Sequence, residues 1–187
     1  MVMGLSILAI VVILACTWFL GFWNNVITFV NTLLAALVAS NFFEPVATWI
    51  DGGQSSYTYL LDFVCLWLLF FLTYALLRTA TDLLSRHKLR FNYWVEMIGR
   101  TVFSLATAWV FLCFMHFSFH TAPFPPGPGN FQERPDSVNF VGAPDRMWLS
   151  MLNHTSGGEF QPADDFILKY YHRRLTLSQQ EALRVQR

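Results

Sequence analysis

Most of the chain before Glu44, its first charged side chain, is apolar, interrupted at Gly21 and at the pair Asn24-Asn25. A helix needs about 20 apolar residues to cross the hydrocarbon core of a bilayer, so this uncharged stretch is too long for one span and right for two. The first is read from about Leu5 to Leu20, with a break over Gly21 to Asn25. The second is read from about Val26 to Phe43, with Pro45 marking its end. Glu44 to Ser56 contains Pro45, Asp51, Gly52 and Gly53, a loop by composition. A third span follows over about Thr58 to Leu77, with a polar continuation from Arg78 to Ser85. After the basic connector Arg86-His87-Lys88-Leu89-Arg90 comes a fourth span, about Val95 to Phe117. The expected architecture is an all-α membrane protein: a domain of four transmembrane helices over residues 1–120, a Pro/Gly-rich linker over 121–130 and a short polar C-terminal tail over 131–187.

In the tail, Pro144 to Leu152 reads as a helix. Pro144 suits the first helical position, and Met147, Trp148, Met151 and Leu152 fall on one face. Asp165 to Tyr171 fits a strand or a helix. Ser178 followed by Glu181 has capping-box spacing and predicts a helix start there. So short a tail barely buries a core of its own, and it is expected to dock on the membrane surface or on a partner.

Charge sharpens this division and sets an orientation. Only 13% of the chain is charged, against roughly 25% in soluble domains. Ten charged side chains fall in residues 1–120 and fourteen in the rest. Arg78, Arg86, Lys88, Arg90 and Arg100 cluster around the connector between spans three and four, while the loop after span two carries only Glu44 and Asp51. The positive-inside bias puts the connector in the cytoplasm and, with four spans, both termini outside it. Trp18, Trp23, Tyr93 and Trp94 then fall at one interface and Trp49, Tyr57 and Tyr59 at the other, levels that amphipathic rings favour. Net charge is zero and there is no extended basic face, which argues against nucleic acid as a partner.

Cys16, Cys65 and Cys113 all lie in apolar stretches, where free Cys behaves as a small hydrophobe. Ile13-Leu14-Ala15-Cys16 loosely resembles a lipoprotein cleavage site. No basic residue precedes it and the apolar run continues past it, so it is read as part of the first span.

The chemistry-bearing candidates are few. Thr28, Thr32, Ala36 and Ser40 repeat every four residues along span two, and small or hydroxyl side chains let membrane helices approach closely. That face serves either packing within the chain or a homo-oligomer or pore lining. Asp62 stands about one turn inside span three. An ionisable group there is a candidate for an ion or proton path, whereas Arg78, Asp82, Glu96 and Arg100 lie near helix ends where long side chains reach water. His116 and His120 stand at i, i+4, a spacing that can hold a metal, but no third ligand is near in sequence and interfacial polarity is the simpler account. Arg86, Lys88 and Arg90 suit lipid headgroups, or topology determination alone. Asn153-His154-Thr155 matches a glycosylation sequon, short enough to arise by chance. Gly-rich phosphate loops, Gly-x-Ser-x-Gly elbows and paired-cysteine metal motifs are absent. No catalytic, cofactor-binding or metal-binding residue is assigned.

The order of a span, a glycine-marked turn at Gly21-Phe22, a second span containing Leu33-Leu34-Ala35-Ala36-Leu37-Val38-Ala39-Ser40, an acidic loop, a third span, a basic connector and a fourth span opening near Gly99 resembles the colicin V production protein family of bacterial inner-membrane proteins. The resemblance covers about residues 4–118. The family's first turn usually carries Arg beside the glycine, where Asn24 and Asn25 stand here, and its fourth span usually opens on an Asn/Asp-Arg pair, where Val95-Glu96 stands here. Gly99 keeps one glycine of that span. The resemblance implies a multi-pass accessory protein linked to toxin export and cell-envelope physiology, with no established catalytic activity. Some relatives anchor a periplasmic trypsin-like protease, but this tail is too short for that fold and has no Gly-Asp-Ser-Gly-Gly. The expected function is therefore that of a non-enzymatic inner-membrane accessory or scaffold protein acting in export or envelope maintenance. Its partners would be membrane lipids and a membrane or periplasmic protein. The alternative is a small channel or transporter subunit assembled through the small-residue face of span two.

Overall fold

A computed structural model describes the backbone of residues 2–51, 58–84, 92–122, 142–155 and 163–185, and the side chains of residues 3–51, 60–84, 92–122, 142–155 and 165–176. Among them every regular element is a helix: α1 (Val2–Trp18), α2 (Phe22–Asp51), α3 (Thr58–Leu84), α4 (Tyr93–Thr121), α5 (Pro144–Thr155) and α6 (Ala163–Val185). Three of these, α2, α3 and α4, are long and apolar enough to cross a membrane. The 17 residues of α1 span about 25 Å at 1.5 Å per residue, so it stands as a shorter apolar helix beside the three, where four spans were expected.

Two boundaries differ from the sequence reading. The break after α1 is only Phe19 to Gly21, because Gly21 adopts φ 82°, a conformation that L side chains reach at a cost, and turns the chain directly into α2. At the other end Pro45 does not stop α2, which runs on to Asp51. Proline removes only the bond from its own nitrogen to the Asn41 carbonyl, and the helix continues past it with side chains bonded back to carbonyls on either side. Asn41 donates to the Leu37 carbonyl, and Thr48 donates to the carbonyls of Glu44 and Pro45. A third difference lies in the tail. Ser178 starts no helix, since α6 runs unbroken from Ala163 to Val185 with no Gly or Pro in it.

One face of α2 is buried from Asn25 to Ala47. α4 runs parallel to it, joined by Asn25 Nδ2 donating to Ser104 Oγ (3.0 Å) near their starts and by Phe43 against Phe117 near their ends. α3 runs antiparallel to α2, with Asn31 Nδ2 donating to Thr81 Oγ1 (3.1 Å) and Arg78 Nη1 to Thr28 Oγ1 (3.3 Å). An aromatic cluster ties α3 to α4, with Phe70 stacked on Phe114 at 4.7 Å and Trp67 edge-on to the same ring.

α1 packs along α4, although its sequence neighbour is α2. Ser6 meets His116 near one end, and the Arg100 guanidinium lies 5.0 Å from the Trp18 ring at the other. Outward-facing residues such as Leu8, Val11, Leu68, Leu76, Ile98 and Val102 stay exposed, a surface suited to lipid and much larger in extent than soluble monomers show.

The start of α4 secures the start of α2. Glu96 Oε1 accepts the Phe22 N–H at 2.7 Å, satisfying one of the orphan donors of a helix N-terminus. Glu96→Ala is expected to cost about 1–2 kcal/mol and to lower the midpoint of thermal unfolding in detergent. Glu96→Gln, which keeps an acceptor, should lose clearly less.

Candidate interaction site at one end of the bundle

The tail folds onto its own membrane unit, at the end where α2 and α4 finish. Gly142 and Ala143 both take positive φ (83° and 43°) and aim the chain into Pro144, the first residue of α5. Met147 N–H then bonds the Ala143 carbonyl at 3.0 Å. The apolar face of α5 buries Trp148, Leu149 and Leu152. Trp148 Nε1 donates to Ser40 Oγ at 3.0 Å, and its ring lies edge-on to Phe114. The sequence had assigned this tail to the membrane surface or a partner. The end of its own bundle supplies the missing core instead.

α6 docks by different physics. Phe166 stacks on Phe117 with ring centroids 5.1 Å apart, and Ile167 and Tyr170 are buried beside it. Around this aromatic floor the contacts are ionic. Lys169 Nζ donates to both carboxylate oxygens of Glu44 (2.9 and 3.0 Å), and Arg173 pairs with Asp62. Tyr170 donates its hydroxyl to Glu44 Oε1 at 3.0 Å and lies 3.5 Å from Asp62 Oδ2. Burial, then the two carboxylates, push the Tyr170 hydroxyl far above its ordinary range, so it stays a donor. Arg174 donates to the carbonyls of Phe119 and His120, capping the C-terminus of α4 where the helix dipole favours a cation.

Below α5 lie two buried polar pairs. His120 Nε2 and Asp145 Oδ2 are 3.0 Å apart, with both side chains almost wholly buried. Burial pushes the Asp145 carboxyl up, but the hydrogen bond and charge of His120, with smaller help from the Arg146 N–H and His116, outweigh it and hold the carboxyl below its ordinary 3.8. A depressed carboxyl stabilises the fold above its unfolded value, and the contribution is lost as pH falls through the lower, folded one. The thermal midpoint of the purified protein, followed from about pH 6 to about pH 2, should therefore fall on the acid side, and Asp145→Asn should flatten that fall. The second pair is Ser6 Oγ and His116 Nε2, 2.8 Å apart. A hydroxyl beside an imidazole is the start of a nucleophile–base arrangement. Both residues are fully buried between α1 and α4, so the geometry is that of a helix–helix contact.

The singled-out residues that the structure describes now have places. Thr28, Thr32, Ala36 and Ser40 are all buried within the chain. Thr28 and Thr32 bond back to carbonyls of their own helix, and Ser40 receives Trp148. Gly99 faces Phe22 so closely that an added Cβ would lie 2.4 Å from the ring. Arg78 pairs with Asp82 as their spacing predicts. His116 and His120 go to different partners, and among the described residues no group of three or more His, Cys, Asp or Glu is arranged to hold a metal. Arg86, Lys88 and Arg90 and most of the linker lie outside the described residues.

What sequence reasoning missed is the partnership of Asp62 with the tail. The signal was there in part: a carboxylate inside an apolar span needs a cation, and Lys169, Arg173 and Arg174 recur at helical spacing. It also missed Glu96 as the cap of α2. The two places where the sequence departs from the family pattern, the first turn and the start of α4, meet each other in space.

A family model described as colicin V production protein matches residues 4–143, most of the chain. The chain belongs to the colicin V production protein family. The match reaches past α4 to the residue before Pro144, so it includes the approach to α5 as well as the bundle. Family and apolar helices together make it a membrane protein of the colicin V production type. Among curated proteins and solved structures, nothing matches.

Proposed function

We propose that this member of the colicin V production family is a non-enzymatic accessory or scaffold protein of the inner membrane, acting in toxin export or in maintenance of the cell envelope. In this reading α1 completes four spans, the basic connector from Arg78 to Arg100 faces the cytoplasm, and both termini are extracytoplasmic. One observation carries it: α5 and α6 are folded onto the acidic end of the bundle, opposite Arg78 and Arg100. The membrane unit thus presents a built surface on which a membrane or periplasmic protein can assemble, with lipids around its sides. The channel alternative draws no comparable support, because the face formed by Thr28, Thr32, Ala36 and Ser40 is spent inside the chain.

Purification in mild detergent from cells, with and without residues 131–187, tests the reading. Loss of an envelope partner and of the export or envelope phenotype on deletion is expected, and an unchanged partner set and phenotype would sink it. A reporter fused at Arg187 should read extracytoplasmic, and a cytoplasmic readout would overturn the orientation.

A further inference from the structure

Among the described residues of α1 to α4, Arg100 is the basic side chain that the chain leaves without a counter-charge. Arg78, at the same end, pairs with Asp82 and donates to Thr28. At the opposite end Lys169 meets Glu44, Arg173 meets Asp62, and Arg174 meets the carbonyls of Phe119 and His120. Around Arg100, by contrast, no described carboxylate lies within ion-pair distance of the guanidinium, and no described acceptor meets its buried Nε–H. Its side chain rests instead on the Trp18 ring, 5.0 Å from the centroid. Glu96, one turn earlier on α4, has the spacing of an ordinary partner, but it gives Oε1 to the Phe22 N–H.

The depth of Arg100 says where the missing anion comes from. It follows Tyr93, the first residue of α4, by about 10 Å of helix axis. Helical side chains lean toward the N-terminus of their helix, so a long one at this position reaches back to the level of Tyr93 and Trp94. Both rings are largely exposed, and such rings mark the headgroup layer. The flanks are apolar, with Phe19 and Ile98 exposed on either side of the joint between α1 and α4. An arginine in an apolar span is costly without an anion beside it. A lipid matches both needs at once, a phosphate for the cation and acyl chains for the flanks.

We propose that the Arg100 guanidinium, held over Trp18 where α1 meets α4, seats the phosphate of an acidic glycerophospholipid. The two terminal nitrogens present a planar fork that fits two phosphate oxygens. A headgroup with its own ammonium brings a second positive charge to a place that already holds one, so a net-negative headgroup is selected over a zwitterionic one. The bound lipid clasps the end of α1 to α4 from outside. This seat is distinct from the connector residues Arg86, Lys88 and Arg90, whose attraction is shared by any anionic surface. It stands independently of the scaffold reading.

The test uses the full chain in mild detergent, titrated with phosphatidylglycerol or with phosphatidylcholine of the same acyl chains and read by native mass spectrometry. Arg100→Gln should weaken phosphatidylglycerol binding about five- to tenfold and leave phosphatidylcholine unchanged. The connector is intact in both proteins, so the difference reads Arg100 alone. Arg78→Gln should bind phosphatidylglycerol as the parent does, because Arg78 already has Asp82. Equal affinity in the parent and Arg100→Gln, or an equal loss in Arg78→Gln, would refute the seat. Excess inorganic phosphate should leave the bound lipid in place. Displacement would make this a site for free phosphate and overturn the lipid assignment. Should Arg100→Gln fail to fold, Arg100→Lys keeps the charge without the fork and should still bind phosphatidylglycerol more weakly than the parent. Undiminished affinity in that variant would sink the proposal.

Discussion

Trp148→Ala is expected to detach α5 from the bundle and to cost about 3–5 kcal/mol, the range for truncating a buried aromatic. The indole is 3% exposed, stands edge-on to Phe114 and spends its N–H on Ser40. Two observables separate this from general unfolding. Protease should cut the chain before Pro144 while the α1–α4 bundle stays intact, and the thermal midpoint of the tail should fall ahead of that of the spans. Ser40→Ala is the graded control, leaving a buried indole N–H unmet at about 1–3 kcal/mol. A Trp148→Ala chain as protease-resistant as the parent would show that α5 is held by Leu149 and Leu152 alone.

The second large effect is expected at Gly99. A Cβ there would sit 2.4 Å from Cδ2 and 3.0 Å from Cγ of Phe22, closer than real Cβ contacts occur. Phe22 has little freedom to give way. Its N–H is fixed by Glu96, and its ring packs against Phe103 at 5.8 Å. Overpacking of this kind costs about 1–3 kcal/mol, so Gly99→Val should lower the unfolding midpoint in detergent, with Gly99→Ala following in the same direction. Phe22→Ala removes the obstacle. The double variant Phe22→Ala with Gly99→Ala should therefore be less destabilised than the sum of the single ones. Strict additivity would mean that the two residues do not constrain each other.

The long apolar helices were legible because lipid imposes a length and a composition on any helix that crosses it. Their ends were less so. Pro45 is a stop signal in isolation, yet α2 passes it and runs on to Asp51. Trp148 and its apolar neighbours were visible as the face of a helix. What that face would cover was not, since hydrophobicity states that a surface must be buried and not against what. The same limit applies at Asp62. Its position inside an apolar span marked it as unusual, but its partner Arg173 lies 111 positions away and across three segments outside the described residues. Gly99 was legible as a small residue in a helix, and only the structure gave it Phe22 as the reason. The spacing of His116 and His120 suggested a shared ligand, and the fold sends one ring to α1 and the other to α5.

The pairing of α1 with α4 sets an order of events during synthesis. Ser6 and His116 are separated by 110 positions. At roughly 5–20 residues per second, the partner of the first helix leaves the ribosome roughly 5–20 s after the helix itself. Through that interval the face that α1 will later give to α4 has no α4 to cover it. The helix made first is thus among the last to be seated. A nascent chain stalled before Arg100 should carry α1 without the helix that packs against it.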